Sequence, residues 1–141
     1  MTVEALHAGL AGEVCIAVGE EHTAPHVGSG QVRVLATPVL TNLLEAAALQ
    51  AAERHVPAGH QTVGTRLELR HFAATPVGMK VTAHAEITGV SGRVLTFRIW
   101  AEDEVEPVGE GVHERVIINL DRFDQRMNAK IKDRKPSVAR T

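Results

Sequence analysis

"TPVLTNLLEAAALQAAERHVPAG", residues 37 to 59, decides the fold. Thr37 before Pro38 reads as a helix N-cap with proline at the first helical position, where the missing N–H costs no hydrogen bond. Leu40, Leu43, Leu44, Ala47, Ala48 and Ala51 then recur at helical spacing, which predicts one helix over residues 38–55, and "VPAG" at 56–59 stops it. So broad an apolar stripe must be covered by something, and what flanks this helix is mostly strand.

Upstream, "EVCIAV" at 13–18 alternates, with Val14, Ile16 and Val18 on one face and Cys15 and Ala17 on the other. Cys15, the single cysteine, cannot form an intrachain disulfide and reads as a small buried hydrophobe. The stretch "GEEHTAPHVGSGQ" at 19–31 reads as a loop. Downstream, residues 62–72, 80–90, 93–102 and 107–119 alternate with period two, separated by "TPVG", "VSGR" and "EDEVEP" as hairpin-length turns. In the first of these runs Val63, Thr65, Leu67, Leu69 and His71 share one face. A last helix is expected from about 121 to 132. One strand, one long helix and four strands make an α+β order, an antiparallel sheet wrapped around a long central helix: the hotdog architecture, by analogy with known folds. The expected organisation is a single domain over residues 1–132 and a polar tail over 133–141.

No apolar run approaches the roughly 18 residues of a membrane span, and no basic region precedes an apolar block at the N-terminus. The expectations are no membrane partner and a cytoplasmic location. Aromatic residues make up 3% of the chain, with no tyrosine, so the stacking platforms of a nucleic-acid binder are missing. Residues 121 to 141 carry 7 basic and 3 acidic side chains, +4, which leaves −6 on the rest of a chain whose net charge is −2. Such an asymmetry draws phosphate-bearing ligands, although a basic run is more often a solvated helix end.

Four residue types invite chemistry. Glu45 interrupts the apolar stripe with no basic neighbour three or four residues away, so no local ion pair explains it. Spacing alone leaves an exposed helix-former equally open. His71 closes an inward row, where a packed core histidine and a general acid or base are both consistent with the pattern. Thr37 places a hydroxyl beside the free N–H groups of a helix N-terminus, where an oxyanion is stabilised, but capping alone also accounts for it. Arg115 in "GEGVHERVI" shares a face with His113 and Ile117, either as an inward charge seeking an anion or as a cross-strand surface pair. The pairs His22 with His26 and His55 with His60 have no accompanying cysteine or carboxylate cluster, so no metal and no cofactor is expected.

The stretches "VLATPVLTNLLEAAALQAA", "TVGTRLELRHFAATPVGMKVTAHAEITGVSGRVLTFRIWAED" and "GEGVHERVIINLDRF" resemble the hotdog-fold thioesterases of the fluoroacetyl-CoA thioesterase type, from about Val34 to Phe123. The resemblance implies hydrolysis of an acyl-CoA thioester by a homodimer or dimer of dimers, with acyl pockets near the subunit interface. It also implies that Thr37, Glu45 and His71 are catalytic, and that Gly64 and Arg115 bind substrate. One segment departs from the family. Members adapted to fluoroacetyl-CoA place bulky aromatics just before the helix as a lid, whereas "HVGSGQVRVLA" has none, which implies either some other short acyl-CoA or an acyl group carried on a different thiol. The alternatives are a non-catalytic acyl-CoA binding module and, with weaker support, a hydratase-type enzyme of the same fold.

Overall fold

The computed structural model describes residues 5–136; residues 1–4, and residues 137–141 of the polar tail, lie outside the described residues. Strand β1 (Ala11–Ala17) and a one-turn helix α1 (Ala24–Val27) precede the long helix α2 (Thr37–Ala52). Strands β2 (His60–His71), β3 (Lys80–Ser91), β4 (Val94–Asp103) and β5 (Pro107–Asn119) follow, and then helix α3 (Leu120–Lys132). The helix α1 falls inside the segment expected as loop, with its proline in the first turn and Gly28 closing it in the left-handed region at φ 81°.

All strand pairs are antiparallel, in the order β1-β3-β4-β5-β2, and the sheet packs its inner face on α2 as the α+β reading requires. Val81, Ala83, Ala85 and Ile87 of β3 and Leu95, Phe97, Ile99 and Ala101 of β4 alternate inward and are buried with Leu40, Leu43, Leu44, Ala47, Ala48, Ala51 and Ala52 of α2. Each buried leucine or isoleucine here contributes about 2 kcal/mol of apolar transfer. The alanines matter by being small. A Cβ on Gly12 of β1 would land on the Ala47 carbonyl oxygen and lie 2.8 Å from the Ala51 nitrogen, so strand and helix touch backbone to backbone.

Two expectations fail. Strands β2 and β3 do not form a hairpin: β2 pairs only with β5, at the sheet's edge, and residues 72–79 cross over to β3. This crossover is pinned where it passes the start of α2, because Leu35 N–H donates to the Thr75 carbonyl (2.9 Å) and the buried Thr75 hydroxyl donates to Asp103 Oδ2 (2.9 Å). Cys15 is exposed, not buried. The sheet is covered by a helix on one side only, so the outward positions of β1 face water. Among the described residues no helix is long and apolar enough to cross a membrane.

Candidate active site

Strand β2 carries the decisive irregularity. Gly64 pairs with Arg115 and Arg66 with Glu114, which leaves Thr65 as an extra residue, a β-bulge. The Thr65 hydroxyl donates to the Glu114 carbonyl at 3.2 Å. The bulge shifts the strand's phase by one, so Thr62 and Gly64 face inward before it and Leu67, Leu69 and His71 after it. Val63 and Thr65 therefore do not share the face of Leu67, Leu69 and His71, as unbroken alternation had predicted.

At the Thr62 end a buried guanidinium organises one group of side chains. Arg115 is 5% exposed. Its Nε donates to Thr62 Oγ1 (2.9 Å) and its Nη2 to the Thr62 carbonyl (3.1 Å). Its Nη1 faces both His113 Nε2 at 3.1 Å and Glu45 Oε2 at 3.4 Å. An arginine only donates and a carbonyl only accepts, so His113 must accept at Nε2 and donate from Nδ1 to the Arg66 carbonyl, 2.7 Å away: a neutral imidazole of one tautomer. Its pKa is pushed down from 6.5, first by burial and then by the Arg115 charge, against the pull of the Arg66 carbonyl and Glu45. Burial also lowers the Arg115 pKa, and Glu45 opposes that shift; the guanidinium remains charged. Glu45 reaches this group from α2 with its side chain 41% exposed, so one carboxylate is held by Arg115 yet open to a reactant. Gly64 makes room for it, since a Cβ there would stand 2.8 Å from Glu45 Oε2.

At the other end of β2, Thr37 Oγ1 and His71 Nδ1 are 2.7 Å apart. Thr37 is not the helix cap: Ala36 occupies that position without a side-chain bond, and Thr37 is the first residue of α2. Its hydroxyl is engaged by a histidine 34 residues away, so the free N–H groups of the helix start remain available beside the pair. His71 Nε2 is buried and has no hydrogen-bond partner. Burial lowers the His71 pKa from 6.5, partly offset by the Ala73 backbone, which keeps the ring neutral at pH 7. The pair lines a cleft of about 340 Å³ together with residues 29–32 and the half-exposed Phe72. Two of the paired histidines are engaged locally: His22 Nδ1 accepts from Gly19 N–H (2.9 Å), and His60, the first residue of β2, donates from Nδ1 to the Ala58 carbonyl (3.0 Å).

One chain thus brings Thr37 to His71, and Glu45 to Gly64 and Arg115, but it does not join the two groups. Eight residues of α2 separate Thr37 from Glu45, about 12 Å of helix rise. Seven residues of β2 separate Gly64 from His71, roughly 20 Å of strand. Thr62 and His113, which fix Arg115, were not singled out from sequence; the signal for His113 was its position two residues from Arg115 on one strand face.

Comparison with known proteins gives the family of the chain. Residues 18–121 match the family described as "Fluoroacetyl-CoA-specific thioesterase". The fluoroacetyl-CoA thioesterase of Streptantibioticus cattleyicolor is 38% identical over 104 residues, 74% of this chain and 72% of that protein. The solved structure of the fluoroacetyl-CoA thioesterase FlK superposes with a TM-score of 0.81 at 32% identity, covering 93% of this chain and 98% of that one. A hot-dog-like protein from Thermanaerovibrio acidaminovorans shares the fold at 22% identity, with a TM-score of 0.83 over 90% of this chain and 94% of that one.

Proposed function

Since the chain belongs to the fluoroacetyl-CoA-specific thioesterase family, we propose that it hydrolyses a short-chain acyl-CoA to the free acid and CoA, on a site that two copies of the chain assemble. The observation that carries this reading is the half-exposed Glu45 carboxylate held against the buried Arg115, with a glycine in front of it. Thioester hydrolysis needs an oxygen delivered to the carbonyl carbon, donors for the oxyanion and a proton for the departing thiolate. Glu45 delivers the oxygen, as the base that deprotonates a water or as the attacking carboxylate. A single turnover in ¹⁸O-labelled water that gives unlabelled product acid establishes attack by the Glu45 carboxylate, with the anhydride opened at the Glu45 carboxyl carbon. Label in the acid is given both by the water route and by an anhydride opened at the acyl carbon, and hydroxylamine trapping of the anhydride separates those two. Thr37 and the N-terminal N–H groups of α2 hold the carbonyl oxygen, and His71, neutral and free at Nε2, moves the proton.

The distance between the two groups in one chain calls for a second copy. Strand β2 is an edge strand, and its unpaired edge is a template for another strand. Antiparallel pairing of two β2 edges about a two-fold axis brings the Thr62–Gly64 end of one copy beside the His71 end of its partner. Ser29, Gly30, Gln31 and Val32 of the cleft offer no aromatic ring to narrow it from that segment, which suits a short acyl group other than fluoroacetyl. The test is release of free CoA from acyl-CoAs of increasing chain length by the wild type and by Glu45→Gln. Release that collapses in the variant supports the reading. Equal release by both proteins removes Glu45 from the chemistry, and no release by either leaves a binding module.

A further inference from the structure

Between α3 and the turn joining β3 to β4 lies an open cleft of about 520 Å³ that carries Arg93, Arg122 and Arg126 along with Asn119 and Gln125. All three arginines are exposed, and among the described residues none of them pairs with a carboxylate; Arg54, Arg70, Arg98 and Arg134 share that state, but only Arg93, Arg122 and Arg126 line one cleft as a set of three. Asp121 and Asp124, on the same helix, do not line the cleft. Three arginines on one cleft with no carboxylate among its lining residues make a site suited to a polyanion, although Arg126 also lies over the Phe123 ring at 5.7 Å; planar forks of five donors match phosphate oxygens in particular. The helix start is not what binds here, since Asn119 Oδ1 already accepts from the Arg122 N–H at 3.0 Å.

The cleft is tied to the Glu45 end of the site through the backbone. Arg93 accepts the Ile117 N–H at its carbonyl (2.9 Å), Ile117 pairs with Thr62, and Thr62 takes two bonds from Arg115. From Arg115 to Asn119 is about 13 Å of strand, a distance that the pantetheine arm of an acyl-CoA bridges. We infer that Arg93, Arg122 and Arg126 form the binding site for the ribose phosphate and diphosphate of CoA. The inference rests on the thioesterase reading for its ligand, but it concerns how the carrier is recognised and not how the thioester is cleaved.

The experiment compares acyl-CoA with the matching acyl-pantetheine, which lacks the nucleotide, in the wild type and in Arg93→Ala/Arg122→Ala/Arg126→Ala. The expected result is a rise of about tenfold in KM for acyl-CoA with kcat unchanged, weakening as salt is added, and no change for acyl-pantetheine. Because these truncations remove exposed side chains that hold no carboxylate, turnover of acyl-pantetheine also reports that the variant is folded. Calorimetric binding of adenosine 3′,5′-bisphosphate gives a readout independent of hydrolysis, and is expected with the wild type and lost in the variant. An unchanged KM for acyl-CoA, an equal rise for both thioesters, or undiminished bisphosphate binding by the variant overturns the assignment. If the wild type cleaves neither thioester, the thioesterase reading fails, while the bisphosphate titration still decides the cleft.

Discussion

At the Thr62 end of β2, every side-chain nitrogen of Arg115 is committed: to Thr62 twice, to His113 and to Glu45, all within 3.4 Å. At the His71 end, a threonine and a histidine share one hydrogen bond in an open cleft, and the remaining ring nitrogen has no partner. The first group is a rigid mount that aims a carboxylate. The second is a pair with one proton position unfilled. A hydrolytic site needs both kinds of order, a fixed oxygen donor and a group free to change protonation, and this chain keeps them at opposite ends of one strand.

The largest effect is expected from the carboxylate itself. Glu45→Gln keeps the shape and a donor-acceptor pair but removes the base, and should lower kcat/KM by about 10³-fold with the thermal midpoint nearly unchanged. Next comes the free pair: Thr37→Ala removes the partner of His71 and is expected to cost about 10²-fold in kcat, whereas Thr37→Ser, which retains the hydroxyl, should stay within about tenfold of wild type in steady-state assays. Gly64→Ala tests the mount without replacing a polar side chain. Its Cβ displaces the end of the Glu45 side chain, so activity should fall about tenfold while denaturant melts show a loss of less than about 1 kcal/mol. A large stability loss with normal activity would show that the glycine serves packing alone.

Acid should act on both ends more gently. His71 and His113 have folded pKa values below 6.5, so as pH falls through that value the unfolded chain takes up protons that the folded chain resists. Stability is therefore complete above pH 6.5 and is expected to decline below it, as thermal melts between pH 8 and pH 5 will read. The acid limb of kcat/KM should likewise lie below 6.5, where His71 gains its proton.

Local pattern revealed the elements and hid their assembly. The helix stripe from Leu40 to Ala51 and the alternation of β3 from Val81 to Ile87 and of β4 from Leu95 to Ala101 survive, because each is a local expression of burial against one partner; beyond Ile87 a bulge at Thr88 breaks the pattern. The phase of β2 did not survive. Alternation presumes that no residue is inserted, and the bulge at Thr65 moved Thr62 and Gly64 inward; the glycine beside it was the available signal. Thr37 obeyed the statistics of helix starts, but its hydroxyl bonds to His71, a tertiary contact that no local rule reports. Cys15 was assigned to the core because its strand alternates, yet alternation cannot say which of two faces is covered. Spacing put Thr37, Glu45 and His71 in family order without revealing that one chain holds them in two places.

The measurement that tests this account most directly is complementation between two inactive chains, Glu45→Gln and His71→Ala, co-expressed with different tags and purified as the mixed species. If one copy's Glu45 works with its partner's Thr37 and His71, each mixed dimer contains one intact site, and about half of the wild-type rate per dimer returns. A mixed dimer as inactive as its two parents would place the whole reaction within a single chain and contradict the account.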